Sequence, residues 1–331
     1  MEVPDHVPRP RTIKVSDATP SSTLSVVIPL CNEDENVAPL MLELRRALET
    51  TGESYEIVFV DDGSRDETWT RVVELAREDA RIKGIRLSRN FGHQVALLAG
   101  LGSATGQAVI SMDGDLQHPP DLIPAMVRAW REGCRVVTTV RDDAESTGFF
   151  KRTTSRWFYR LFTLLAGVAL SEGSSDFRLL DRRALDGLLQ FGPSHLFLRA
   201  GVTWLGFSSV SLPYAVRQRR HGQTKYNLRK MRRFAVSAIL SYSTRPLLAG
   251  IGAGIVTGVA GLAGLGVAVV RQLLGHRVLD AAWILGVLGV LFGVLFLLLG
   301  ILGAYVGRIH NAVMGRPLYV VSDTLNLPGN A

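Results

Sequence analysis

Two stretches without a charged side chain, 246–270 (PLLAGIGAGIVTGVAGLAGLGVAVV) and 281–306 (AAWILGVLGVLFGVLFLLLGILGAYV), set the strongest limit on how this chain can fold. A helix rises about 1.5 Å per residue, so each run is long enough to cross a ~30 Å hydrocarbon layer. Soluble helices of that length carry a polar stripe, and neither run has one; a pair of buried core helices is the alternative. The expectation is two transmembrane helices, 246–270 and 281–306. Lys225, Arg229, Lys230, Arg232, Arg233 and Arg245 precede the first run, whereas the connecting loop offers Arg271 and Arg277. Basic residues favour the cytosolic side, which puts the N-terminal region and, after an even number of crossings, the tail 307–331 in the cytosol. Such a chain is an integral protein of the cytoplasmic (inner) membrane. Trp283 and Tyr305 lie near the ends of the second run, as interfacial aromatics do. Gly250, Gly254 and Gly258 recur every four residues, which permits homo-oligomer contacts between spans but is also ordinary for membrane helices.

The remaining composition narrows the setting. Residues 1–22 are polar and proline-rich with no apolar core, which reads as a disordered lead-in and not a secretory signal. Two cysteines, Cys31 and Cys134, fit a reducing compartment without a disulfide framework. A net charge of +7 could suit nucleic acid, but much of the excess flanks the apolar runs, where anionic lipid is the simpler partner; no nucleic-acid partner is expected.

From Leu24 onward, short β-branched runs alternate with amphipathic stretches of helix length. LSVVIP, YEIVFV, IKGIRL and QAVISM read as buried strands, and 34–50, 66–79, 93–105 and 119–131 as the helices between them. Such a series makes one α/β domain, 23–225, around a mainly parallel sheet covered on both faces. Past Arg141 the pattern is less regular: a basic segment FFKRTTSRWFYR, then SSDFRLLDRRAL, a helix near 195–205 and a strand-like SSVSLPYAV. This half is expected to complete the sheet and supply a second substrate's site. Residues 226–245 run from basic to apolar and stop at Pro246, the pattern of a juxtamembrane amphipathic helix.

Ligands of parallel sheets gather at the carboxyl ends of the strands, where this chain keeps PLCNEDEN, DDGSRDET, SRNFGHQ and DGDLQHPP. A dinucleotide site needs G-x-G-x-x-G after the first strand, where no glycine stands, and no phosphate-cradling P-loop occurs. Strand-end carboxylates remain. Three acidic-x-acidic triplets occur, Glu33/Glu35, Asp113/Asp115 and Asp143/Glu145, so the pattern alone decides nothing. Asp113 and Asp115 leave the fourth strand toward one side, and Gly114 gives the backbone freedom to bring both to one ion. Their hard oxygens suit Mg²⁺ or Mn²⁺ acting as a Lewis acid on a leaving diphosphate; an acidic turn is the alternative. Pro119 and Pro120 would close this loop and start the next helix.

The ordered set VVIPLCNEDENV, VDDGSRDET, LSRNFGHQVALLAG, SMDGDLQHPP, SDFRLLDRRAL and RRHGQTKYN, followed by the apolar hairpin and GRIHNAVMGRPLYVV, resembles family 2 glycosyltransferases of the polyprenyl-phosphate type. These include bactoprenol glucosyltransferases and dolichol-phosphate mannose synthases, and the match covers roughly 24–321. The resemblance implies a GT-A, Rossmann-like domain that moves a sugar from a nucleotide diphosphate to a polyprenyl phosphate. It places Pro29, Leu30, Glu33 and Asp62 in the nucleotide pocket, with Asp62 accepting from the base. Asp113 and Asp115 would hold the metal with help from Gln117, and Asp113 would also face the nucleotide. Asp176 matches the catalytic aspartate. Arg141, Lys151 or Arg152, Arg219 and Lys225 would grip donor and acceptor phosphates. Each has a plainer alternative: Glu33 and Asp62 as acids at helix N-termini, Arg152 and Arg156 as a solvated helix face, Asp176 and Arg178 as a structural ion pair. His93 stands where the family often has lysine and is left out of the expected site.

The implied reaction is metal-dependent and inverting, with UDP-glucose or a related hexose donor and undecaprenyl phosphate as acceptor; a GDP-mannose-dependent synthase is the nearest alternative. Asp176 would either remove a residual proton or orient the acceptor. A processive polysaccharide synthase would carry Q-x-x-R-W, but Thr153 precedes Arg156-Trp157 where glutamine would stand. A non-catalytic membrane scaffold would be expected to have lost strand-end carboxylates, and all are intact.

Overall fold

The computed structural model describes residues 22–141, 174–190, 198–215, 281–313 and 317–327, with a few isolated positions between 256 and 274. Lys151, Arg152, Arg219, Lys225, the lead-in, the juxtamembrane segment and most of the first apolar run lie outside the described residues. The chain divides into two units, one of residues 1–161, 168–228 and 315–331, the other of 162–167 and 229–314.

The first unit is built on strands β1 (Leu24–Leu30), β2 (Tyr55–Asp61), β3 (Ile82–Leu87), β4 (Ala108–Ser111), β5 (Val136–Arg141), β6 (Ser174–Asp181), β7 (Ser209–Tyr214) and β8 (Val321–Leu325). They form one eight-stranded sheet in the order β7-β5-β6-β4-β1-β2-β3-β8. The β1–β2, β1–β4, β2–β3 and β5–β7 pairs are parallel, while β6 and β8 run antiparallel to their neighbours. Side chains alternate faces along each strand. Val26, Ile28, Ile57 and Phe59 therefore join one apolar cluster, and Val27, Val58 and Val60 the other. Helices α1 (Asp34–Glu49), α2 (Thr68–Glu78) and α4 (Ile123–Arg131) feed the first cluster; α3 (His93–Ser103), α5 (Arg182–Leu189) and α6 (Leu198–Trp204) feed the second. This is the α/β, Rossmann-like, mainly parallel sheet that the sequence led us to expect.

The antiparallel insertion of β6 positions the site. Ser111, the last residue of β4, pairs with Arg178. Carrying that register two residues onward sets Asp113 across from Asp176, and Ser111 Oγ already donates to the Asp176 carbonyl at 2.6 Å. The amino end of β6 thus meets the carboxyl ends of β4 and β5.

β8 was not foreseen. It pairs with the outer edge of β3, from Gly84 opposite Leu325 to Leu87 opposite Val321. Asn326 Nδ2 fastens its end by donating to the carbonyls of Ala76 at 2.8 Å and Ile82 at 2.9 Å. Gly84 has no side chain because Leu325 occupies that space: an added Cβ would fall 2.7 Å from Leu325 Cδ1.

In the second unit, α7 (Ala281–Val313) is a single helix of 33 residues, about 50 Å long at 1.5 Å per residue. Restricted to the described residues, no helix is long and apolar enough to cross a membrane; the full sequence of α7 is uncharged from 281 to 306. Leu288, Phe292, Leu295, Leu299, Leu302, Val306, Ile309 and Val313 are all exposed.

Candidate active site

The first two strand-end turns brace each other. Asn32, at φ 53°, receives the Arg65 amide on Oδ1 at 2.8 Å and donates its own amide to Ser64 Oγ at 2.9 Å. Gly63 (φ 64°) lies so near the next turn that a Cβ would meet the Asn90 nitrogen at 2.6 Å. Asp62 is buried, and its two oxygens accept the amides of Phe91 at 2.7 Å and Gly92 at 2.9 Å. Gly92 is the N-cap of α3, so Asp62 serves as an acid at a helix N-terminus, that of α3 and not of the helix following its own strand. Glu33 accepts from Asn36 Nδ2 at 2.6 Å, and Pro29 and Leu30 are buried at the end of β1.

The DGDLQH turn is fixed from within by His118, which is fully buried. Its Nδ1 accepts the Asp113 amide at 3.0 Å, so Nδ1 carries no proton and the neutral ring holds its hydrogen on Nε2, 2.8 Å from Ser175 Oγ. The ring stacks on Phe177, centroids 5.3 Å apart. Burial lowers the pKa of His118, opposed by Asp113 and Asp115, and the neutral form results. Asp115 Oδ1 accepts the Gln117 amide at 3.1 Å. The φ of Gly114 is not positive, and a Cβ there would meet Leu30 Cδ2, so a side chain at this position requires Leu30 to shift. Pro120 opens the short 3₁₀ turn before α4, as the sequence suggested.

Around Asp176 the charges converge. Its carboxylate is buried and accepts from Arg178 Nη2 at 2.7 Å, from Arg199 Nε and Nη2 at 2.9 Å each, and from Gln94 Nε2 at 3.2 Å. Burial alone would raise its pKa, but Arg199, His93 and Arg178 outweigh that and hold the carboxyl well below the usual range. The ion pair with Arg178, left open by the sequence, is therefore present. His93, expected to lie outside the site, belongs to the cluster: Nε2 lies 3.4 Å from Asp113 Oδ1 and 3.7 Å from Asp176 Oδ2. Burial would lower its pKa, yet the two carboxylates raise it. Arg141 ends β5 and donates from Nε to Tyr214 Oη at 3.2 Å. Arg199 was missed altogether. Its only sequence signal is a basic residue two places into a short apolar helix, and nothing local ties it to Asp176.

Among the described residues, no group of three or more His, Cys, Asp or Glu side chains is arranged to hold a metal ion. Asp113 Oδ1 is nevertheless buried without a hydrogen-bond partner, and Asp115 beside it is buried as well. Two carboxylates of this kind fit a hard divalent cation that takes few protein ligands and fills its other positions with water and substrate phosphate.

Comparison with known proteins identifies the family. The sequence profile of Glycosyl transferase family 2 matches residues 25–189, which span β1 through α5. An uncharacterized glycosyltransferase of Bacillus subtilis (strain 168), YkcC, is 36% identical over 308 residues, 92% of this chain and 94% of its own. A prophage-derived bactoprenol glucosyl transferase of Shigella flexneri is 33% identical over 302 residues, 91% of this chain and 98% of its own. Among solved structures, glucosyl-3-phosphoglycerate synthase from Mycobacterium tuberculosis aligns over 67% of this chain and 80% of its own, with 19% identity and a TM-score of 0.46. With relatives above 30% identity along nine-tenths of its length, the chain belongs to glycosyl transferase family 2 and is a glycosyltransferase.

Proposed function

We propose that this enzyme transfers a hexose, with UDP-glucose the favoured donor, from a nucleoside diphosphate to a polyprenyl phosphate at the cytosolic membrane face, with inversion. The observation that carries the reading is the meeting of Asp113 and Asp176 from oppositely directed strands, with His93 in reach of both. That arrangement puts a cation-fitting carboxylate pair beside the two arginines on Asp176, which suits two phosphorylated reactants. The bactoprenol glucosyl transferases among the relatives support the lipid acceptor.

A phosphate monoester has a second pKa of about 6 and is largely dianionic at neutral pH, so the acceptor needs no strong base. Its oxygen attacks the anomeric carbon from the face opposite the diphosphate; the carbon–oxygen bond to the diphosphate breaks and the nucleoside diphosphate leaves with the electron pair. Asp176, held ionised by two guanidinium groups, is a poor proton acceptor and is assigned an orienting role. Asp113 and Asp115, with Gln117 adjacent, would hold the divalent cation, Mg²⁺ or Mn²⁺, whose chemistry is to neutralise the departing diphosphate. Pro29, Leu30, Glu33 and Asp62 border the expected nucleotide pocket, and Arg141, Lys151, Arg152, Arg219 and Lys225 are assigned to phosphate contacts.

Membrane attachment rests on three features. The two uncharged runs are long enough to span. The exposed apolar residues of α7 recur in steps of four and three from Leu288 to Val313, a surface that water would disfavour and lipid would cover. β8 returns the chain to the sheet it left, so any crossings between 228 and 315 must be even in number. A lipid phosphate stays at headgroup level, and an enzyme anchored there meets it in the right geometry.

The test is an assay of membranes holding the protein, given a panel of UDP- and GDP-sugars with undecaprenyl phosphate, with and without chelator. Sugar-lipid formed from one UDP-hexose and abolished by chelator is expected. Formation from GDP-mannose instead would replace the donor; absence of product with every donor, or indifference to chelator, would overturn the reading.

A further inference from the structure

We infer that Tyr319 and Val320, in the segment that enters β8, position the turn 88–92, so that binding of the nucleotide donor depends on the chain that follows α7. The inference rests on the proposed placement of Asp62 in the nucleotide pocket. Turn 88–92 meets both strand-end turns that border that pocket. Its Phe91 and Gly92 amides donate to Asp62, Asn90 Nδ2 donates to Cys31 Sγ at 3.1 Å, and its backbone lies against Gly63 so closely that no Cβ fits there. The turn leads into α3, whose first two residues, His93 and Gln94, reach Asp176.

The start of the turn is held from the C-terminal segment. The Ser88 amide donates to the Val320 carbonyl at 2.9 Å. Ser88 follows the last residue of β3 and Val320 precedes the first of β8, so this bond carries the β3–β8 ladder one step into the turn. Ser88, Arg89 and Asn90 are exposed and bury little surface of their own. Packing comes instead from Leu318, Tyr319 and Phe91, which all lie against the apolar cluster of Leu87, Leu97 and Leu98. Burial raises the pKa of the Tyr319 phenol, as expected of a ring held in that cluster.

A short turn with few buried contacts opens locally at little cost. Each opening would take the Phe91 and Gly92 amides off Asp62. By closing the turn, Tyr319 and Val320 raise the fraction of molecules competent to bind the donor, and apparent affinity scales with that fraction. Leu325 provides a control within the same strand. It pairs with Gly84 at the far end of the β3–β8 ladder and packs on the other apolar cluster, beside Trp69.

The test uses the full-length protein in detergent, with Y319A, Y319F and L325A compared with wild type. UDP binding is measured by calorimetry with Mn²⁺ present, with GDP in its place if the donor panel selects a GDP-sugar; KM is measured for donor and for lipid phosphate, and stability by denaturant unfolding. Y319A is expected to weaken nucleotide binding and raise donor KM by about fivefold to twentyfold, with the lipid-phosphate KM within about twofold. Y319F keeps the ring in the cluster and should bind as wild type does. L325A should lose stability but keep its donor KM. Should Y319A fail to fold, Y319L is read in its place. Equal loss of donor binding in the Tyr319 variant and L325A would show a general structural effect and overturn the inference, as would unchanged nucleotide binding in the Tyr319 variant. A wild type that binds neither UDP nor GDP would defeat the nucleotide reading itself; one that binds, with a Tyr319 variant that binds equally well, would defeat only the role of the C-terminal segment.

Discussion

His118 holds Asp113 by its backbone: the Asp113 amide donates to His118 Nδ1 at 3.0 Å, and the other ring nitrogen lies 2.8 Å from Ser175 Oγ on β6. A single imidazole thereby sets the distance between the turn that carries Asp113 and Asp115 and the strand that carries Asp176. The bond requires the neutral ring, which burial favours. His118 touches neither reactant in the proposed mechanism; it positions the residues that do.

Replacing His118 by alanine should cost about 2–4 kcal/mol, from a cavity and from the Asp113 amide left without its partner, while Ser175 Oγ keeps the Phe177 amide. Asparagine can place its carbonyl oxygen where Nδ1 now accepts, so H118N should keep the Asp113 contact and lose less than H118A. Denaturant unfolding of the two variants checks the order. Equal losses would mean that the Asp113 contact contributes nothing.

Much of the scaffold was legible because the controlling signals are local. Ile82–Leu87 was read at its true limits, and β1, β2 and α1 within a residue, since buried β-branched runs and 3.6-residue periodicity announce themselves. β8 was not, because VSDTL is short and half polar and its pairing with β3 joins residues far apart in sequence. The strand-end carboxylates were visible as motifs. What they do to one another was not: the clamp of Asp62 on the Phe91 and Gly92 amides, the arginines around Asp176 and the return of His93 to the cluster all arise from tertiary contact.

Asparagine at either Asp113 or Asp115 removes a negative oxygen from the pair that fits the cation. Transfer should fall by about a hundredfold or more, in line with the loss of one dominant electrostatic contact. Calorimetric titration of the proteins with Mn²⁺ in the presence of UDP should show weakened binding in both variants. Full activity in D115N would remove the metal assignment.

The depressed pKa of Asp176 has a signed consequence. Its folded value lies below the unfolded value of about 3.9, so it adds stability above that pH and loses it as pH falls through the folded value. Between pH 5 and 8 it stays ionised and should give the activity profile no acid limb. An acid limb near pH 6 should instead belong to the acceptor phosphate, and a phosphonate analogue with a higher second pKa should move the limb upward. A limb that stays in place would restore Asp176, or another enzyme group, as the titrating base.

A second buried ion pair of the sheet, Glu56 with Lys83, sits at the opposite strand ends and serves stability. Glu56 accepts from Ser25 Oγ at 2.6 Å, the Thr105 amide at 2.7 Å and Thr105 Oγ1 at 2.9 Å, and pairs with Lys83. Burial would raise its pKa, but Lys83 and these donors lower it, so its contribution too is present at neutral pH and lost on acidification below about 4. Neutralising Glu56 alone leaves Lys83 charged and buried, and E56Q should cost about 3–5 kcal/mol. K83M removes the stranded charge, so the double variant E56Q/K83M should be more stable than E56Q, with donor KM unaltered in both. Unfolding curves for the four proteins of this cycle give the coupling directly. Additive losses would show that the two side chains do not depend on each other.

The return of β8 to β3 makes the membrane topology testable at two points. Ser322 lies within β8 and its hydroxyl donates to the Arg86 carbonyl at 3.2 Å, so position 322 shares the side of the membrane occupied by the active site. If both apolar runs cross, the loop holding Gly275 lies on the other side. In a background lacking Cys31 and Cys134, G275C should react with an impermeant maleimide added to intact cells, whereas S322C should react only after the cells are opened. Labelling of S322C but not of G275C from outside would reverse the orientation. Labelling of neither until lysis would mean that the runs do not cross, and the proposal of a spanning hairpin would then give way to one lying within a single leaflet.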